Sequence, residues 1–78
     1  MPAHGRIVVN PDIMLGKPII RGTRITVEII LRKLGEGATA KELLEAYPHL
    51  AAEDIQAAMT YAADTLAHED TLLVEPKA

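Results

Sequence analysis

Thr26-Val-Glu-Ile-Ile-Leu-Arg-Lys-Leu-Gly-Glu-Gly-Ala-Thr-Ala-Lys-Glu-Leu-Leu-Glu-Ala-Tyr-Pro48 reads as two helices and the turn that joins them. Val27, Ile30, Leu31 and Leu34 recur at the spacing of one helical face. Thr26 precedes them as an N-cap, since its hydroxyl can accept from a free amide of the first turn. Gly35 and Gly37 stop the helix. Arg32 and Lys33 fall in its last turn, where cations suit the helix dipole. Contact with phosphate or an acidic partner is the functional alternative for that pair. Thr39-Ala-Lys-Glu42 is a capping-box pattern, in which the hydroxyl and the carboxylate each accept from the other residue's amide. Leu43 and Leu44 then face inward, Tyr47 packs at the helix end and Pro48 closes it.

Toward the C-terminus, a third helix is expected from Ala52 to Ala67. Ile55, Ala58, Met59, Ala62 and Leu66 follow the pattern of an apolar stripe. Its alanines favour helix and allow close approach. Glu53 and Asp54 complement the dipole at its start. Ala51 is a poor N-cap, costing about 1 kcal/mol against Ser or Thr. The pattern fades from Glu69 to Ala78. Thr71-Leu-Leu-Val74 could dock as a strand or bind a partner, but a frayed tail is the expectation.

Toward the N-terminus, Arg6-Ile-Val-Val9 and Pro18-Ile-Ile-Arg21 are short β-branched or apolar runs. Asn10-Pro11-Asp12 reads as a turn after the first, and Gly16 and Gly22 bound the second. A lone two-stranded hairpin is marginal in water. Two copies paired edge to edge would make four strands, so Ile7, Val8, Val9, Ile19 and Ile20 are expected to form a dimerisation arm. The expected fold is mainly α: a three-helix, helix-turn-helix-like (homeodomain-like) domain with an N-terminal β-hairpin arm. Residues 1–25 form the arm, 26–68 the helices and 69–78 a tail, as one domain.

A chain of 78 residues buries only about 60% of the surface its unfolded form exposes. Chains this small usually need a disulfide, a metal or a partner subunit. There is no cysteine, and His4, His49 and His68 lack metal-ligand spacing. Oligomerisation is the remaining expectation, as a homodimer or with a tight hetero-partner, with no metal and no cofactor. No stretch approaches the roughly 18 apolar residues of a membrane span, and the N-terminus is too polar for a secretory signal. The expected compartment is the cytoplasm.

The net charge of −3 is unevenly spread. Up to Lys41, seven basic residues outnumber Asp12, Glu28 and Glu36. From Glu42 onward eight acidic residues face Lys77 alone. Two contact surfaces of opposite sign are implied, although a solvated acidic face would look the same. The third helix carries Glu53, Asp54 and Asp64 without a Lys or Arg, and so suits a DNA groove poorly. Lys17, Arg21 and Arg24 in the arm, with Arg32 and Lys33 in the first helix, are the candidate nucleic-acid contacts. Arm cations also protect an exposed strand edge from aggregation.

Catalysis finds little support. Gly16-Lys17 resembles part of a phosphate-binding loop, but that motif needs glycine where Pro11 stands and Ser or Thr where Pro18 stands. The histidines show no partnering with a nucleophile, and a domain of this size can scarcely enclose a desolvated pocket alone. No catalytic residue is assigned.

Asn10-Pro-Asp-Ile-Met-Leu-Gly-Lys-Pro-Ile-Ile-Arg-Gly-Thr-Arg-Ile-Thr-Val27 resembles the signature of the bacterial and archaeal domain-of-unknown-function family numbered 433. Gly35-Glu-Gly, Tyr47-Pro48 and Glu53-Asp-Ile-Gln-Ala-Ala58 match it in order and spacing, so the resemblance covers roughly Ile7 to Leu66. Where family members often carry Thr before the last helix, this chain has Ala51. The resemblance implies a helix-turn-helix-like domain behind a β arm. It also implies an antitoxin role, with a PIN-like nuclease toxin as partner; the charge split adds operator DNA as a candidate second partner, met by the basic arm. It supplies no enzymatic residues, and it leaves the roles of Gly16 to Pro18 and Gly22 to Arg24 unassigned. The alternative is a protein-interaction adaptor that binds no nucleic acid.

Overall fold

The computed structural model describes residues 5–68. Tail residues 69–78, including Thr71 to Val74 and Lys77, lie outside that range, as does His4. Strands β1 (Ile7–Val8) and β2 (Ile19–Ile20) precede helices α1 (Val27–Gly35), α2 (Ala40–Ala46) and α3 (Ala52–Ala67). The strands pair antiparallel, Ile7 opposite Ile20 and Val8 opposite Ile19. The fold is thus mainly helical, three helices joined to an N-terminal hairpin, with the α2–turn–α3 order expected from the sequence.

The helix ends follow their sequence signals. The Thr26 hydroxyl accepts from the Ile29 amide at 3.0 Å. The Thr39 hydroxyl accepts from the Glu42 amide, while the Glu42 carboxylate accepts from the Thr39 amide at 2.8 Å. At the end of α1, the Gly37 amide donates to the Leu34 carbonyl and the Ala38 amide to the Lys33 carbonyl. That reciprocal pattern requires a left-handed residue, and Gly37 supplies it at φ 106°. At Ala51, which has no side-chain acceptor, half of a capping box remains: the Asp54 carboxylate accepts from the Ala51 amide at 2.9 Å.

The core gathers Ile7 and Ile20 from the hairpin, Val27 and Ile30 from α1, Leu43 from α2, Leu50 from the turn, and Ile55, Ala57 and Ala58 from α3. Ile19 is buried as well. The hairpin is packed against the chain's own helices. Ile7, Ile19 and Ile20 give their side chains to the chain's own core, because a two-residue strand pair gains too little by itself and docks where apolar area is available. Val8 is half-buried, and Val9 lies beyond the strand and is exposed. β2 is also flanked on its second side: Ile19 bridges Thr26, Ile20 donates to the Ile25 carbonyl, and Val27 donates to the Pro18 carbonyl. The Gly22 turn, at φ 81°, makes this return possible.

A correction concerns α3. Ile55 and Ala58 are buried as expected and Ala57 joins them, but Met59 and Leu66 are exposed. The buried residues of α3 end at Ala58; in its second half Tyr61 is partly buried against the core, and the turn after it is exposed.

The link between the strands holds an unusual turn. The Asn10 side chain accepts from the Asp12 amide, and its carbonyl accepts from the Ile13 amide. Met14, Leu15 and Gly16 then follow at φ 50°, 59° and 81°. For a residue with a Cβ, this left-handed region costs roughly 1–2 kcal/mol. Leu15 is 93% exposed, so little packing offsets that cost. Leu15→Asn, which tolerates the left-handed conformation better, is expected to stabilise the domain by about 0.5–1 kcal/mol in urea unfolding.

Candidate functional site

Lys17, Arg24 and Arg32 come from the hairpin, the loop after it and the last turn of α1, yet they line one shallow depression of about 490 Å³. The return of the chain through Ile25 and Thr26 alongside β2 brings them together. Glu28, one turn before Arg32 on α1, sits among them. Lys17 Nζ donates to Glu28 Oε1 at 2.8 Å, and Arg32 Nη2 donates to Glu28 Oε2 at 3.0 Å. The Lys17 and Arg32 hydrogen bonds, with the attraction of both charges, hold the Glu28 carboxyl below the usual carboxylate range. All three side chains remain about half exposed, so these pairs orient the cations more than they stabilise the fold.

Met14 and Tyr47 complete the same depression. Arg24 and Tyr47 also border a neighbouring hollow beside Gly22 and His49, so this cation and this aromatic ring form the ridge between two concave surfaces. Arg24 is exposed and has no ion pair among the described residues. Three cations against one carboxylate leave the depression with a surplus of positive charge.

The other two predicted cations lie elsewhere. Arg21 is exposed at the foot of the hairpin, where its Nε donates to the Gly5 carbonyl at 2.9 Å. Lys33 is exposed in the last turn of α1 and does not line the depression. Gly16 and Gly22 both hold positive φ and shape the turns on either side of β2. Sequence reasoning missed Glu28, whose i,i+4 relation to Arg32 was visible. It also missed Tyr47 as part of a surface hollow. No local signal marks that residue, because its place depends on how α2 docks.

Among the described residues, no group of three His, Cys, Asp or Glu could hold a metal ion. No helix among them is long and apolar enough to cross a membrane.

The sequence profile of the family described as "Protein of unknown function (DUF433)" matches residues 7–62. The chain is 39% identical over 56 residues to "Uncharacterized protein y4eO" of Sinorhizobium fredii (strain NBRC 101917 / NGR234), a match covering 72% of this chain and 25% of that protein. It is also similar to the crystal structure of a DUF433 member protein from Anabaena variabilis ATCC 29413. That match has a TM-score of 0.76 and 39% identity, and covers 80% of this chain and 61% of the other. The chain therefore spans only a quarter of the first relative and less than two thirds of the second. With the profile spanning most of the chain and the fold shared at this identity, the chain belongs to the DUF433 family.

Proposed function

We propose that this domain is a binding module of the antitoxin type and not a catalyst, acting as a homodimer that holds nucleic-acid phosphate at the Lys17–Arg24–Arg32 depression. One observation carries the reading: three cations from separate segments converge on a single concave surface with one carboxylate among them. Phosphate backbones are bound by neutralising their charge, and an aromatic ring beside the cations offers a base a stacking face. In this reading Glu28 keeps Lys17 and Arg32 extended while no anion is bound, then gives them up to phosphate oxygens. The acidic half faces the second partner, a PIN-like nuclease toxin, whose nucleic-acid-binding surface would be basic.

Fluorescence anisotropy with a labelled duplex from upstream of the protein's own coding sequence tests the nucleic-acid part. Arg24→Ala combined with Arg32→Ala is expected to weaken binding at least tenfold. It should also flatten the log–log salt slope by roughly 0.9 per lost phosphate contact. Glu28→Gln, which removes the competing carboxylate, is expected to tighten binding. Binding by the wild-type chain that ignores salt, or no binding alone and with a co-expressed neighbouring nuclease, sinks this part. Failure to co-purify with that nuclease sinks the toxin part.

The adaptor reading keeps one supporting observation. α3 exposes Glu53 and Asp64 and carries no Lys or Arg, and a basic protein would suit it better than DNA. Unchanged DNA affinity with lost partner binding in Arg21→Ala/Arg24→Ala would favour the adaptor.

A further inference from the structure

Leu15 is more exposed than any other large apolar side chain among the described residues. It is also held in the left-handed region, between Met14 at φ 50° and Gly16 at φ 81°. The backbone around it is pinned. The Asn10 carbonyl accepts from the Ile13 amide at 2.9 Å, the Ile13 carbonyl from the Gly16 amide at 3.0 Å, and the Met14 carbonyl from the Lys17 amide at 3.1 Å. Hydrogen bonds thus fix the chain on both sides of Leu15, while its side chain packs against almost nothing. Strained residues of this kind persist where the surrounding structure over-determines them, and they cluster where a chain meets its ligand. An apolar side chain held in place beforehand also loses less freedom when a partner covers it.

The neighbours of the tip select the partner. Met14 precedes Leu15 and Lys17 follows two positions later, and both line the cationic depression with Arg24 and Arg32. Whatever covers Leu15 therefore also lies against three cations. Duplex nucleic acid offers both surfaces together, phosphates along the strand and the apolar faces of stacked bases beside them. Proteins that bend duplexes through the minor groove insert Leu, Ile, Met or Phe between base steps in this way. An anchor for a protein partner is instead ringed by further contacts that exclude water, whereas Asp12 and Lys17 on either side of Leu15 are charged and exposed.

We propose that Leu15 is a wedge: with the Lys17–Arg24–Arg32 depression on phosphate, its side chain enters a neighbouring base step, partly unstacks it and bends the duplex. The proposal rests on the phosphate reading above and says how the same surface engages the bases. It places a conflict between stability and binding at one residue, since the side chain that strains the free domain is the one that enters the stack.

Energy transfer between dyes at the two ends of a short duplex, taken from upstream of the protein's own coding sequence, reads the bend. Anisotropy of the same duplex reads affinity. The wild-type full chain is expected to bring the duplex ends closer together. Leu15→Asn, expected to raise the urea midpoint, should lose the bend and weaken binding roughly tenfold. Its salt slope should stay at the wild-type value, because the cations are untouched. A merely structural role for Leu15 would let the more stable variant bind at least as well. Leu15→Phe, which keeps an apolar wedge, should keep the bend. Salt-dependent binding by the wild-type chain without a bend, or a bend that survives Leu15→Asn, overturns the wedge and leaves the phosphate reading standing. So does a Leu15→Asn variant that holds the duplex as before but no longer co-purifies with the neighbouring nuclease, which would make Leu15 a protein contact. A wild-type chain with no salt-dependent binding overturns the wedge and the phosphate reading together.

Discussion

Ile30→Ala is expected to remove most of the domain's stability. Ile30 is fully buried at the centre of α1, with hairpin, α2 and α3 residues in the same core cluster. Removing a buried isoleucine to the β-carbon costs about 2–5 kcal/mol, the lost transfer energy plus the cavity left behind. The upper part of that range fits a position where three elements meet, since none can collapse inward without pulling away from the others. At roughly 0.05–0.15 kcal/mol per residue, the whole chain has only about 4–12 kcal/mol to lose. Urea unfolding followed at 222 nm should show a sharp fall in midpoint with little change in slope. Ile29→Ala, one residue away and only partly buried, should shift the midpoint much less. Equal losses at the two positions would mean that the core is not centred on the face described.

Asp54→Ala is the second large effect, and its cause is polar. The carboxylate is 7% exposed and holds two unrelated groups: Arg6 Nη1 donates to Oδ1 at 2.9 Å, and the Ala51 amide donates to Oδ2 at 2.9 Å. The substitution therefore detaches the start of β1 and uncaps α3 at once. Hydrogen bonds to a charged group contribute about 1.5–3 kcal/mol, and a lost cap costs about 1 kcal/mol. Arg6 is half exposed and can be resolvated, so the total should stay near 2–3 kcal/mol. Asp54→Asn keeps an acceptor for Ala51 while losing the charge, and should recover about half of the loss in the same urea experiment. Full recovery would reduce Arg6 to a bystander.

Much of this fold was written in local chemistry. Thr26, Thr39 with Glu42, and Gly37 each act within a few residues of themselves, so the sequence announces the helix ends they produce. What escaped were consequences of docking. The apolar stripe of α3 continues to Leu66, but periodicity cannot say where the neighbouring layer ends, and that decides which residues on the stripe are covered. Ile19 and Ile20 were equally ambiguous: adjacent residues in a strand face opposite sides, which suggests one for a core and one for a partner. The return of Ile25 and Thr26 along β2 covers that strand's second side, and Ile19 and Ile20 are both buried. In the candidate site, the cations Lys17, Arg24 and Arg32 were legible as charge. Their convergence required the turn at Gly22, and their restraint required Glu28.

The bond between Arg6 and Asp54 spans 48 positions in the chain, and its consequence is temporal. β1 is synthesised before α3, and the carboxylate that receives Arg6 and the Ile55 side chain that shares a core with Ile7 come much later. A loop of that length must close before the hairpin gains its docking surface. Arg6 and Ile7 therefore wait, unpaired with α3, until that helix has been made. The domain then forms and is lost as one cooperative unit, with first strand and last helix joined in the same step.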